Sequence, residues 1–212
     1  MNRYQTTFKT WNKIASVYEE VFMDLALYND TYYFFCEQLN KKKPSILEIG
    51  CGPGNITKHL LSKLPDCCIL GIDIAPNMIK LAKKNNPTAK FKVMDGRKIN
   101  TIPSKFDGII SGFYLPYLSQ SDRVNFIKDC GSLLSNQGIL YISFVEGDYN
   151  DSGYQTGNTG HQMYFYYHNL ANLKKEFTEH HFAILKVIQK QYSKKDGATE
   201  VHTIVIAKQI GK

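Results

Sequence analysis

The chain has 212 residues, 43% of them hydrophobic and 21% charged, with a formal net charge of +7. That length fills one core and is short for two, no apolar run is long enough to span a membrane, and residues 1–10 lack the apolar stretch of a secretory leader. The five cysteines show no C-x-x-C spacing and suggest neither a disulfide framework nor a metal site, and the lysine clusters at Lys41–Lys43, Lys83–Lys84, Lys174–Lys175 and Lys194–Lys195 are scattered, so a cytosolic single domain with no nucleic-acid partner is expected.

Residues Thr10 to Leu39 read as helical, with Trp11, Ile14, Ala15, Tyr18, Phe22 and Leu25 mostly three or four apart. Such a stripe either packs on a sheet or closes over a ligand and keeps water out, and both readings stay open. Lys41 to Pro44 form a polar break, which divides an N-terminal helical cap (1–43) from a core (44–212).

The core opens with Ile46-Leu47-Glu48-Ile49-Gly50-Cys51-Gly52-Pro53-Gly54-Asn55. A short apolar run meets alternate glycines, and from Asn55 the apolar positions Ile56, Leu60, Leu61 and Leu64 take helical spacing, which predicts strand, tight turn and helix. Glycines suit a turn whose backbone must both reverse sharply and let a ligand approach, and the first helical amides point toward the same crevice. A dinucleotide G-x-G-x-x-G does not fit: from Gly50 its third glycine falls on Asn55, and from Gly52 it falls on Thr57. A phosphate-binding loop is excluded too, because no Gly-Lys-Ser or Gly-Lys-Thr closes the turn.

A second run, Cys67 to Ile72, ends in Asp73, an acid at a strand tip and so placed to accept hydrogen bonds from both hydroxyls of a ribose. Pro76 then suits the first turn of a helix. The third strand, Phe91 to Met94, closes in Asp95-Gly96-Arg97, and the fourth, Phe106 to Ser111, opens into Gly112 to Leu118 at the sheet edge where ligands of open α/β folds bind. Asp122 is a candidate cap for a helix through Leu134, and Gly138 to Phe144 reads as a fifth strand. Val145 to Gln162 is rich in Gly, Asn, Asp, Ser and Thr and reads as a polar loop, the candidate substrate lid. Tyr164 and Tyr166 share one face of a following strand, and Asn169 can cap the helix carrying Leu170, Leu173 and Phe177. His161 is either a base working near neutral pH or a surface residue. Ala183 to Gln191 and Val201 to Ala207 form a closing hairpin about a Lys-Asp-Gly turn.

The glycine stretch, with Glu48 two residues ahead of Gly50, resembles motif I of the class I S-adenosylmethionine-dependent methyltransferases. The resemblance implies that Gly50, Cys51, Gly52 and Gly54 lie beneath the amino-acid part of the cofactor and that Glu48 helps to orient it. It implies that Asp73 holds the ribose, that Ile74 and Met78 flank the adenine, and that Asp95 with Gly96 meets the adenine amino group. Ser111 and Phe113 belong to the same cofactor set, and Phe113, Tyr114 and Tyr117 offer ring faces to a cationic sulfonium. Trp11-Asn12-Lys13-Ile14-Ala15-Ser16-Val17-Tyr18 resembles the entry of many small-molecule members, which makes Tyr18 the lid contact.

The Asn/Asp-Pro-Pro-Tyr signature of several nucleic-acid and protein-amide enzymes is missing, and Gln137 stands where the fifth strand of the family carries a glycine. The expected fold is a Rossmann-like, doubly wound, mostly parallel sheet of order 3-2-1-4-5-7-6 with its last strand antiparallel. The expected activity is methyl transfer to a small molecule, with RNA or protein methylation, or cofactor binding without turnover, as alternatives. No residue is singled out as catalytic, and the acceptor and oligomeric state are left open.

Overall fold

The structure, a computed structural model, describes residues 2–157, 159–194 and 197–211. In chain order, α1 (Arg3–Lys13), α2 (Ala15–Phe22) and α3 (Asn29–Glu37) precede β1 (Ser45–Ile49), α4 (Asn55–Lys63), β2 (Cys68–Asp73), α5 (Pro76–Asn85), β3 (Lys90–Val93) and β4 (Phe106–Ser111). There follow α6 (Gln120–Leu133), β5 (Leu134–Val145), the short strands β6 (Gly153–Thr156) and β7 (Gln162–Phe165), α7 (Leu170–Glu179), β8 (Phe182–Ser193) and β9 (Thr199–Gln209).

Period-two alternation decides how the sheet is covered, because neighbouring side chains leave a strand on opposite faces. Leu47, Ile49, Leu140, Ile142 and Val205 turn toward the α6 and α7 side, with Phe126, Ile127, Leu173 and Phe177. Ile46, Ile110, Ile139, Tyr141 and Ile204 turn toward the α3 and α4 side, with Phe35 and Leu60. Burial on both faces is what makes the central strands near-continuous apolar runs.

The main sheet runs β3-β2-β1-β4-β5-β9-β8, parallel through β5, with β9 antiparallel to both of its neighbours. Setting aside the separate β6–β7 pair, this is the expected order 3-2-1-4-5-7-6.

Several local expectations are corrected. The first helix begins at Arg3 rather than Thr10, because Asn2 caps it by accepting from Tyr4 N at 3.2 Å. Ser119, not Asp122, caps α6: its hydroxyl accepts from Asp122 N at 3.2 Å and donates to Asp122 Oδ2 at 2.8 Å. The stretch from Val145 to Gln162 is not wholly loop, since β6 pairs antiparallel with β7. Gln137 adopts φ 63°, the left-handed conformation that a glycine takes at no steric cost. Of the predicted closing turn, Lys195 and Asp196 lie outside the described residues. The five cysteines are free, and among the described residues no helix is long and apolar enough to cross a membrane.

Candidate functional site

At the carboxyl edge of the sheet, the N–H groups of Gly50 and Cys51 both donate to Ile72 O, at 2.8 and 3.0 Å, and so fold the β1 turn over the tip of β2. Gly54, at φ 84°, then starts α4, and a Cβ there would come within 2.4 Å of Asn86 Nδ2. Above this turn lies a cavity of about 320 Å³, floored by the strand tips and roofed by α1, α2 and the start of α3.

Of the residues singled out from sequence, Gly50, Gly52, Asp73, Ile74, Met78, Asp95, Gly96, Phe113 and Tyr18 line the cavity, as do Trp11, Tyr114 and Tyr117. Asp73 is held by its neighbours, with Oδ2 accepting from Gly52 N at 3.0 Å and Oδ1 from Ala75 N at 2.8 Å. Burial pushes its carboxyl up to about 6, against the pull of those N–H donors. A carboxylate offers about four lone-pair sites, so acceptor capacity remains for a ligand.

Asp95 caps the turn that follows β3 and is gripped by its own near neighbour: Arg97 Nη2 lies 2.6 Å from Oδ2 and Arg97 Nε 3.0 Å from Oδ1. Burial opposes the Asp95 charge, but the Arg97 side chain and backbone N–H outweigh it and hold the carboxyl below its ordinary range. Arg97 in turn lies 4.0 Å from the centre of the Tyr4 ring, which ties α1 to this wall.

Glu48, Cys51, Gly54 and Ser111 do not line the cavity. Glu48 is buried beneath the turn, where one oxygen accepts from Thr57 Oγ1 and the other has no partner. Burial pushes its carboxyl up to about 8. The Cys51 side chain packs with Ile79, Ala82 and Phe91, and Ser111 is fully buried.

The roof is aromatic. Tyr18 meets Trp11 edge-on at 5.3 Å and Phe22 at 4.5 Å, and Trp11 meets Tyr117 at 5.5 Å. These rings pack on one another, Trp11 and Tyr18 also with Ala75 and Met78 at the start of α5, while lining the cavity. Tyr114 fills the floor between two glycines: a Cβ on Gly50 would lie 3.2 Å from its Cβ, and one on Gly96 would lie 2.6 Å from its hydroxyl.

His161 is placed elsewhere, in a shallow groove with Thr6, Lys9 and Lys13, because the β6–β7 connection carries it to the outer side of α1. Sequence reasoning missed Tyr28, Arg97, Tyr192, Lys194, Glu200 and His202, all of which line the cavity. The alternation of Glu200 and His202 on one strand was visible, but which face of the sheet they would join was not. Lys41–Lys43, Lys83, Lys84, Lys174 and Lys175 are not part of the lining.

A family model described as a methyltransferase domain matches residues 46–138. A malonyl-[acyl-carrier protein] O-methyltransferase of Acetivibrio thermocellus is 39% identical over 106 residues, 49% of this chain and 36% of that protein. An uncharacterized methyltransferase of Alkaliphilus oremlandii is 28% identical over 145 residues, 67% of this chain and 62% of that one. The chain thus spans less than two thirds of the length of these curated relatives. Among solved structures, the N-methyltransferase NodS of Bradyrhizobium japonicum, determined with S-adenosyl-L-homocysteine, superposes with a TM-score of 0.71 at 17% identity, over 96% of this chain and 98% of that one.

Proposed function

We propose that this chain is a class I S-adenosylmethionine-dependent methyltransferase that transfers a methyl group to a small-molecule acceptor. The observation that carries the reading is Asp73 facing the cavity beside the Gly50–Gly54 turn, under a roof of rings. The site fits the cofactor on its own chemistry: Gly50 and Gly52 bring bare backbone to the wall, and Asp73 keeps lone pairs for ribose hydroxyls. Gly50 and Gly52 would hold the amino-acid part, Asp73 the ribose, and Ile74, Met78 and Asp95 the adenine. Glu48 would act from beneath the turn through its unpartnered oxygen rather than by lining the cavity.

When bound, S-adenosylmethionine supplies a methyl carbon already activated by a positively charged sulfur. The chain's own contribution is therefore alignment and exclusion of water. Trp11, Tyr18, Phe22 and Tyr117 do the excluding, and their ring faces favour a cation.

A small acceptor is supported by the ring-lined cavity and by the lysine clusters at Lys41–Lys43, Lys83–Lys84 and Lys174–Lys175 standing apart from it, while Lys194, which lines it, is paired with Glu200. The relatives' names include an O-methyltransferase and an N-methyltransferase, so the acceptor atom differs among them.

The test is to incubate the protein with a methyl-labelled donor and a cell extract, then separate the extract into small-molecule, RNA and protein fractions. Label in the small-molecule fraction is the expected result. Label confined to RNA or protein would overturn the choice of acceptor class.

A further inference from the structure

The cavity lining also brings together a carboxylate, an imidazole and a phenol. Tyr28 Oη lies 2.6 Å from His202 Nδ1, and His202 Nε2 lies 3.5 Å from Glu200 Oε2. Tyr28, His202 and Glu200 all line the cavity. We propose that these residues form a proton relay for an aromatic acceptor bearing a hydroxyl or N–H: Tyr28 takes the acceptor's proton while passing its own to His202, which Glu200 orients. This rests on the methyl-transfer reading and names the acceptor class that the same site would take.

The imidazole is fixed on every side. Its ring stacks on Tyr192 at 4.8 Å and 12°, meets Phe113 edge-on at 4.8 Å, and lies beside Val145 in the β5–β9 register. The charged groups nearest it are Glu200 on its own strand and, on β8 and just beyond, Lys190 and Lys194. The Lys190 ammonium is turned away to Asp30 at 2.7 Å, and Lys194 is paired with Glu200. His202 Nε2 is buried without a hydrogen bond, and the Glu200 carboxylate 3.5 Å away favours, by charge, the tautomer with its proton there, which leaves the Nδ1 lone pair for the Tyr28 hydroxyl. Burial lowers the basicity of His202 while Glu200 opposes that fall, so the resting ring is neutral and able to accept. Rings of Tyr18, Phe22, Tyr28, Phe113, Tyr117 and Tyr192 around the space suit a flat acceptor.

The step balances. The acceptor's oxygen or nitrogen gains the methyl carbon, and the electron pair of the broken carbon–sulfur bond stays on sulfur. The acceptor's proton reaches Tyr28 as the Tyr28 proton reaches Nδ1. The imidazolium, held against Glu200, later releases its proton to water. Tyr28 is the catalytic residue here, while His202 and Glu200 act through it as positioning residues.

Two measurements test this. Long-range ¹H–¹⁵N NMR at pH 7 should find His202 neutral with its proton on Nε2; a proton on Nδ1, or an imidazolium, would overturn the relay. Phenol, catechol and aniline, with pyridine as an acceptor that has no proton to lose, should then be assayed with labelled donor. Tyr28→Phe should lower transfer to the first three by about a hundredfold, spare pyridine, and leave S-adenosylhomocysteine affinity unchanged. Glu200→Gln should move the acid limb of the pH–rate profile to lower pH, because the carboxylate no longer supports the imidazolium. Equal rates in Tyr28→Phe, or no transfer to any proton-bearing probe by protein that binds S-adenosylhomocysteine, would overturn the proposal. Failure to bind S-adenosylhomocysteine would instead overturn the methyl-transfer reading, with the NMR result still deciding the relay geometry.

Discussion

Glu48 sits inside the fold with one oxygen bonded to Thr57 and the other to nothing. Burial raises its carboxyl from 4.5 to about 8, so between those values the folded state keeps a proton that the unfolded chain has lost. Its contribution to stability is fully present below pH 4.5 and is lost as pH rises toward 8. Glu48→Gln, which keeps the shape of the neutral acid, should match the wild-type melting temperature near pH 5 and exceed it by several degrees at pH 8. A variant that loses stability with pH as steeply as the wild type would contradict this. Asp73 was legible as a site residue because an acid closing an apolar strand has a fixed place at the sheet edge. The burial of Glu48 without a full set of partners was not, because hydrogen-bond satisfaction depends on groups from other elements. Tyr28 and His202 lie far apart in the chain, so nothing local signalled their meeting.

At the scale of elements, the N-terminal cap and the β6–β7 hairpin hold each other. Thr10 Oγ1 donates to Gln162 O at 2.5 Å, and Thr7 Oγ1 accepts from Tyr164 N at 2.9 Å, with both threonines buried. Each bond is worth about 0.5–1.5 kcal/mol. The double variant Thr7→Val with Thr10→Val should therefore speed amide hydrogen exchange in β6 and β7 by roughly tenfold while leaving β1 and β4 protected. Unchanged protection of the hairpin would show that α1 does not hold it. The strand through Tyr164 was legible from its alternation, but its partner β6 escaped sequence reading because it is only 4 residues long and carries no apolar alternation. Their register is set by α1, which lies at the other end of the chain. The capping of α6 was half legible: Asp122 was seen, but the hydroxyl of Ser119 is the group that reaches the free amide.

Across the molecule, the two halves of the sheet edge are joined by a buried charge. Arg123 on α6 pairs with Glu176 on α7, its Nη1 lies 2.7 Å from His168 Nδ1, and His168 Nε2 lies 2.8 Å from Leu115 O in the loop after β4. Burial and the neighbouring Arg123 charge lower His168 to about 4, so it stays neutral and serves as a link rather than a second cation. Removing one partner of a buried pair leaves the other charge uncompensated, which costs about 3–5 kcal/mol. Glu176→Gln should lower stability on that scale in urea titration, and a change of under about 0.5 kcal/mol would contradict the role assigned to the pair. The order of the sheet was legible because apolar runs and turn residues fix the strands. The burial of a charge on α6 was not legible: Arg123 is buried, whereas the adjacent Val124 is only partly so. A charged residue reads as solvated until its partner, supplied here by a different helix, is known. If the cavity holds S-adenosylmethionine through Asp73, calorimetric titration with S-adenosylhomocysteine on wild type and Asp73→Ala side by side will show it. Micromolar binding should weaken about tenfold or more in the variant, the loss expected for charge-assisted hydrogen bonds. Equal affinity in a folded variant, or no binding by the wild type, would contradict it.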